Sequence, residues 1–205
     1  MCLNAKNLSC IRSHKALFSD LSFELSPGQL LLVEGKNGAG KTSLLKLLTG
    51  LRRPDSGLVT WNGCPISDPE SDFRAQLAWL GHQNPLKEDQ TALENLKTLG
   101  KIRPRNQTPL TEALKSVKLS HVKHKLVKTF SAGMKRRLAL ASLLITKAPL
   151  WILDEPQAAL DKSGIALYES LAEAHLATGG MIIMTSHHAV NIDSDQLQVL
   201  DLGHE

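Results

Sequence analysis

The 205-residue sequence has no apolar run that could cross a membrane. Stretches such as Leu138 to Ile145 and Leu150 to Leu153 fall far short of the roughly 20 residues a spanning helix requires. Its first ten residues, MCLNAKNLSC, hold neither an apolar signal core nor a small-residue cleavage site, so the chain is expected to stay in the cytoplasm. Cys2, Cys10 and Cys64 are odd in number and lack CxxC spacing, which argues for reduced thiols against a disulfide framework or a zinc site. There is no internal repeat and no low-complexity tract, and only Pro104 to Pro109 reads as a polar loop. With 42% hydrophobic and 21% charged residues the chain can close a substantial core, so one soluble globular domain is expected over 1–205.

The net charge of +4 conceals an uneven distribution. From Asn84 to Lys147 there are 14 Lys and Arg against 4 Asp and Glu, which leaves 10 basic and 16 acidic residues elsewhere. A basic insert therefore sits in an acidic frame. It reads either as a solvated Lys-rich helical surface or as a face turned toward anionic lipid or an acidic partner.

The first third of the chain alternates as strands do, with Leu17, Leu21, Phe23 and Leu25 spaced for one face and an Asn62-Gly63 turn signal after LVTW. Leu30 to Val33 is a continuous apolar run, as in a parallel strand covered on both faces. Leu44, Leu47, Leu48 and Leu51 then recur at helical spacing, with Gly50 and Pro54 as stop signals. From Thr91 to Ile145 the periodicity is helical, and two further buried strands, PLWILDEP and GMIIMTSH, flank a helical stretch from Gly164 to Leu176. The expected architecture is α/β, with a helical lobe over 84–147 inserted into a core made of 1–83 and 148–205.

Between the Leu30 strand and its helix lies Gly35-Lys36-Asn37-Gly38-Ala39-Gly40-Lys41-Thr42, a complete G-x-x-x-x-G-K-[ST] phosphate loop in the context the motif demands. Glycines let the backbone curl so that N–H groups converge on phosphate oxygens, and the helix N-terminus adds its dipole. Lys41 is suited to the β- and γ-phosphates and Thr42 to Mg²⁺. Farther on, the apolar run Leu150 to Leu153 delivers Asp154 and Glu155 to a strand end, where an open α/β sheet binds ligand. Asp154 is the expected metal holder, and the adjacent Glu155 the group that polarises the attacking water.

Beyond these elements the sequence resembles the ABC ATPases. Phe130-Ser131-Ala132-Gly133-Met134 resembles the family signature Leu-Ser-Gly-Gly-Gln, departing from it at Phe130, Ala132 and Met134. Gln83 resembles the Q-loop glutamine, Ala159-Leu160-Asp161 the D-loop, and His187 the switch histidine. The resemblance implies a P-loop NTPase fold with a mixed sheet core and an antiparallel β edge, and ATP with Mg²⁺ as ligands. It implies catalytic roles for Lys41, Glu155 and His187. It further implies nucleotide contacts from Gly35, Lys36, Asn37, Gly38, Ala39, Gly40, Lys41, Thr42, Ser43 and Gln83, and metal contacts from Thr42, Gln83 and Asp154. Ser131, Ala132, Gly133, Met134 and Asp161 would touch the nucleotide of an opposing subunit. The adenine-stacking aromatic common among relatives is missing, and Arg12 or a neighbour fills that stretch, so the guanidinium face is the expected substitute.

LTGLRRPDSG, LAWLGHQNPLK, QTALENL and LWILDEP, in a chain with little after His187, resemble the ATPase of the haem exporter system for c-type cytochrome maturation. That resemblance implies an ATPase homodimer bound to integral membrane subunits on the cytoplasmic side of a bacterial inner membrane, with nucleic acid unlikely as a partner. His121 and His124 lie in a solvated Lys/His-rich stretch and are not read as haem ligands. The alternative is a soluble ABC ATPase that clamps a macromolecule, a class whose repair members carry long coiled-coil insertions and whose translation members carry two ATPase units. A nucleotide kinase would have no use for Ser131 to Gly133 or His187.

Overall fold

The computed structural model of the chain describes residues 1–186, 190–193 and 195–203. Two sheets organise it. The strands β1 (Leu3–Arg12), β2 (Lys15–Leu25), β4 (Ser56–Trp61) and β5 (Cys64–Pro65) form an antiparallel sheet in the order β2-β1-β4-β5. A second, parallel sheet runs β6-β7-β8-β3-β9, with β3 (Leu30–Glu34), β6 (Leu77–Leu80), β7 (Leu150–Asp154), β8 (Met181–Thr185) and β9 (Leu197–Asp201). The expected antiparallel strands thus make a sheet of their own beside the parallel core.

The parallel strands are apolar throughout because both faces are covered. Leu31, Val33, Leu150, Ile152 and Ile183 face a core shared with α1 (Lys41–Leu48) and the antiparallel sheet. Leu30, Leu32, Trp151, Leu153 and Met184 face the opposite core, built with α3 (Ala92–Ile102), α4 (Leu110–Ser116), α5 (Ala132–Leu144) and α6 (Lys162–Ala177). Alternation on a strand with two apolar sides reads as an unbroken run. The helix α1 lies between the two sheets, and its fully buried Leu44, Leu45 and Leu48 fix the phosphate loop at its N-terminus. Leu51, which continues the helical spacing in sequence, falls beyond the helix and is 66% exposed, because the chain turns at Gly50 (φ 70°).

A short helix α2 (Phe73–Gln76) leads into β6. The three helices α3, α4 and α5 all fall between the adjacent parallel strands β6 and β7, with an exposed Pro104–Pro109 connection between α3 and α4. The first of them opens with a reciprocal cap: Glu94 N donates to Thr91 Oγ1 (3.2 Å) while Thr91 N donates to Glu94 Oε2 (2.8 Å). Its buried Asn95 amide donates to the Lys87 and Thr91 carbonyls (3.0 Å each) and accepts from Lys87 N (2.8 Å). The segment leading from Gln83 into α3 is therefore fastened to the helix. At the Asn62-Gly63 turn both residues have positive φ (52° and 84°), the two-residue hairpin geometry those residue types favour. No helix among the described residues is long and apolar enough to cross a membrane.

Candidate functional site

Gly35 (φ 136°), Gly38 (φ 91°) and Gly40 (φ 101°) all lie in the left-handed half of backbone space, so the loop curls back over the start of α1. At Gly40, which caps α1, a Cβ would also lie 3.0 Å from Leu17 Cβ of the antiparallel sheet. The loop closes on Lys41: its Nζ donates to Gly35 O (2.6 Å) and Lys36 O (3.2 Å), and Lys36 O also accepts from Ala39 N (3.1 Å). The ammonium sits buried at the floor of a cleft of about 320 Å³ whose lining includes Arg12, Lys36, Asn37, Ser43 and Glu155.

Two neighbouring strand ends meet Thr42 behind that cleft. Thr42 Oγ1 donates to Asp154 Oδ2 (2.9 Å), and Thr185 Oγ1, at the end of β8, donates to Asp154 Oδ1 (2.8 Å). The same Thr185 oxygen accepts from Glu155 N (3.0 Å). Asp154 and Thr185 are buried, whereas Thr42 is exposed on the cleft side. Glu155 has φ 50°, unusual for a residue with a Cβ, and its side chain is about a third exposed with Oε2 4.0 Å from His82 Nδ1. Neither Thr185 nor His82 stands out in the sequence as a site residue. Thr185 could have been found from its place at the tip of a second buried strand next to β7.

The signature segment lies elsewhere. Ser131 and Ala132 are exposed and do not line the Lys41 cleft. Ser131 Oγ caps α5 by accepting from Met134 N (3.2 Å), which takes up one amide at that helix start. Met134 turns inward and packs against the larger core, so an apolar side chain where relatives carry glutamine serves the chain's own packing. A Cβ on Gly133 would lie 3.0 Å from Ala159 O, so a larger residue there would press the signature segment away from the Ala159-Leu160-Asp161 turn. Asp161 caps α6: it accepts from Gly164 N (2.7 Å), Ser163 Oγ (3.0 Å) and Arg137 Nη2 (2.7 Å). Those contacts, Gly164 foremost, hold its carboxyl below the usual range. Gln83 is exposed and outside the cleft lining, and His187 lies outside the described residues.

Arg136, one turn into α5, is the residue that charge counting misplaced. It is 2% exposed, and burial pulls its guanidinium down to about 10, with Asp154 opposing the shift. It remains charged at neutral pH and bonds Gly81, Asn84 and the Asp154 to Pro156 turn.

The ABC transporter family model matches residues 18–158, from β2 through the Asp154-Glu155 turn. The chain belongs to the ABC transporter family. Among its ABC relatives, the cytochrome c biogenesis ATP-binding export protein CcmA of Methylococcus capsulatus is 47% identical, over 94% of each chain. An ABC transporter ATP-binding protein from Pyrococcus furiosus superposes with a TM-score of 0.83 at 25% identity, over 98% of each chain. The dimeric post-hydrolysis structure of an ATP-binding cassette bound to ADP and Pi shares the fold, with a TM-score of 0.76 at 21% identity over 91% of this chain and 88% of that one. The expected ABC ATPase fold is therefore the observed one.

Proposed function

We propose that the chain binds and hydrolyses ATP as one of a pair and so powers a membrane export complex of c-type cytochrome biogenesis. The observation that carries this reading is the chain of contacts from Thr42 through Asp154 and Thr185 to Glu155, which joins two residues of the cleft that Lys41 also lines, in a chain 47% identical to a cytochrome c biogenesis export protein. The phosphate chain of ATP lies in the loop of Gly35 to Ser43, and Lys41 offsets negative charge on the transferring phosphoryl group. Arg12, at the rim of the same cleft, offers its guanidinium face to adenine in place of an aromatic ring.

Thr42 and Asp154 present hydroxyl and carboxylate oxygens, a hard donor set that suits Mg²⁺ held by one or two protein oxygens plus phosphates. When bound there, Mg²⁺ would neutralise part of the phosphate charge. Glu155 accepts a proton from the water that attacks the γ-phosphorus, while Asp154 is held between Thr42 and Thr185. Gln83 and His187 complete the contacts to metal and γ-phosphate.

Ser131, Ala132 and Asp161 are exposed in one chain, and the pairing places the Ser131 to Met134 turn and Asp161 over the partner's nucleotide. The chain acts as one domain, with 84–147 as the lobe that docks on integral membrane subunits at the cytoplasmic face. Glu155→Gln is the direct test. With ATP and Mg²⁺ the variant is expected to stop hydrolysing and to sediment as an ATP-bound dimer, and a monomer that continues to hydrolyse would refute the assignment.

A further inference from the structure

The buried Arg136 guanidinium joins three parts of the site that the sequence separates widely. Its Nε donates to Pro156 O (3.0 Å) and its Nη2 to Asp154 O (2.9 Å) and Glu155 O (2.7 Å), so three successive carbonyls of the strand-end turn converge on one side chain. From the other edge of the fork, Nη1 donates to Gly81 O (3.1 Å) and Asn84 Oδ1 (3.0 Å), which bracket Gln83. The arginine itself belongs to the first turns of the helix that Ser131 caps. Burying a guanidinium carries a desolvation cost, and an apolar side chain could fill the same volume without it. What an apolar side chain could not do is bond five acceptors at once.

The geometry at Glu155 gives that fork a function. A non-glycine residue at φ 50° occupies a sparsely populated region and stays there only when its surroundings hold it. Here Thr185 holds the amide, and Arg136 together with Ala158 N (3.0 Å) holds the carbonyl, so the backbone from which the carboxylate projects is anchored on both sides. The neighbouring Lys135 pairs with Glu88 at 2.5 Å, and Lys128 N donates to Glu88 O (2.9 Å), so the segment after Gln83 is fastened to α5 and its approach as well.

We propose that Arg136 is a positioning residue for hydrolysis: it holds Glu155 in its left-handed backbone conformation and ties that conformation to the Gln83 segment. A displacement of Gly81 to Asn84 by a docked partner then reaches the Glu155 carboxylate through one guanidinium. This rests on Glu155 being the group that activates water.

The test uses the full chain with ATP and Mg²⁺. Arg136→Lys keeps a cation but cannot reach all five acceptors. Its kcat is expected to fall about tenfold or more, since a displacement of about 1 Å in a catalytic group can cost about 100-fold, while the affinity for a fluorescent ATP analogue stays within about threefold. In a Glu155→Gln background the same substitution should cause no further loss in single-turnover rate. A folded Arg136→Lys with the parent kcat, or one that loses ATP affinity in step with kcat, overturns the inference, as does an additive loss in the double variant. If instead Glu155→Gln alone keeps its activity, the reading of Glu155 fails first and is recognised separately. Should Arg136→Lys fail to fold, Asn84→Ala decides: it removes one acceptor from a half-exposed loop, and a kcat lowered about threefold supports the proposal while an unchanged kcat overturns it.

Discussion

Thr185→Val removes a single hydroxyl and adds a methyl of similar size, yet the structure assigns that hydroxyl two jobs. It donates to the buried Asp154 carboxylate at 2.8 Å and accepts the Glu155 amide at 3.0 Å, in a position only 1% exposed. A hydrogen bond to a charged group contributes about 1.5–3 kcal/mol, and an orphaned buried amide costs about 1–3 kcal/mol. Because the two losses share one atom they do not simply add, and about 3 kcal/mol is expected. For a chain of this size each kcal/mol shifts Tm by about 2–4 °C, so the variant should melt about 6–12 °C lower in circular dichroism. Thr42→Val is the internal contrast: it frees the other Asp154 oxygen, but at an exposed position where water replaces the lost donor. Its Tm should stay within about 2 °C while ATP turnover collapses. Equal Tm values for the two variants would refute the claim that Asp154 is held chiefly from the Thr185 side.

Lys41→Ala should lower ATP turnover by about 100-fold or more, because the ammonium lies at the floor of the cleft where phosphoryl charge develops, and a purified variant with near-normal turnover would sink the site. His175 stacks on Trp151 (3.8 Å between ring centroids, 9° between planes), and burial pushes it down to about 4, with contacts to Pro149 and Met181 opposing. Its folded value lies below its unfolded one, so the neutral ring stabilises the fold fully above about pH 6.5 and less as pH falls toward 4, by up to about 3 kcal/mol. His175→Phe should flatten the Tm profile between pH 6.5 and 4.5, and a profile as steep as the parent's would contradict this. In the basic lobe, Arg103 donates to Leu77 O at 2.5 Å and serves the fold, so charge reversal belongs at the exposed Lys87, Lys125 and Lys128. With candidate membrane subunits co-expressed, the triple reversal should lower the pelleted fraction, at about 1 kcal/mol per basic residue, and leave ATP binding intact. Soluble protein with every partner, together with salt-steep nucleic acid binding, would favour the macromolecular clamp instead.

The sequence by itself determined the elements whose chemistry is local. A glycine loop between a buried run and a leucine-spaced helix can only be read one way, because the φ angles at Gly35, Gly38 and Gly40 are properties of the residue type. Likewise, the apolar run ending in Asp154-Glu155 announced a strand tip with two carboxylates, and Asn62-Gly63 announced its hairpin. Tertiary structure decided which distant groups meet those elements. That Thr185 would reach Asp154 depends on β8 lying beside β7 in register, with Asp154 opposite Thr185. That Met134 would turn into the core, and that Arg136 would be buried among five acceptors while Lys125 and Lys128 stay in water, depends on how α5 rolls against α6 and the Asp154 to Pro156 turn. In sequence all of those basic residues count as equal positive charges. Only packing, which removes water from one guanidinium and leaves it on its neighbours, separates a site residue from a solvated surface.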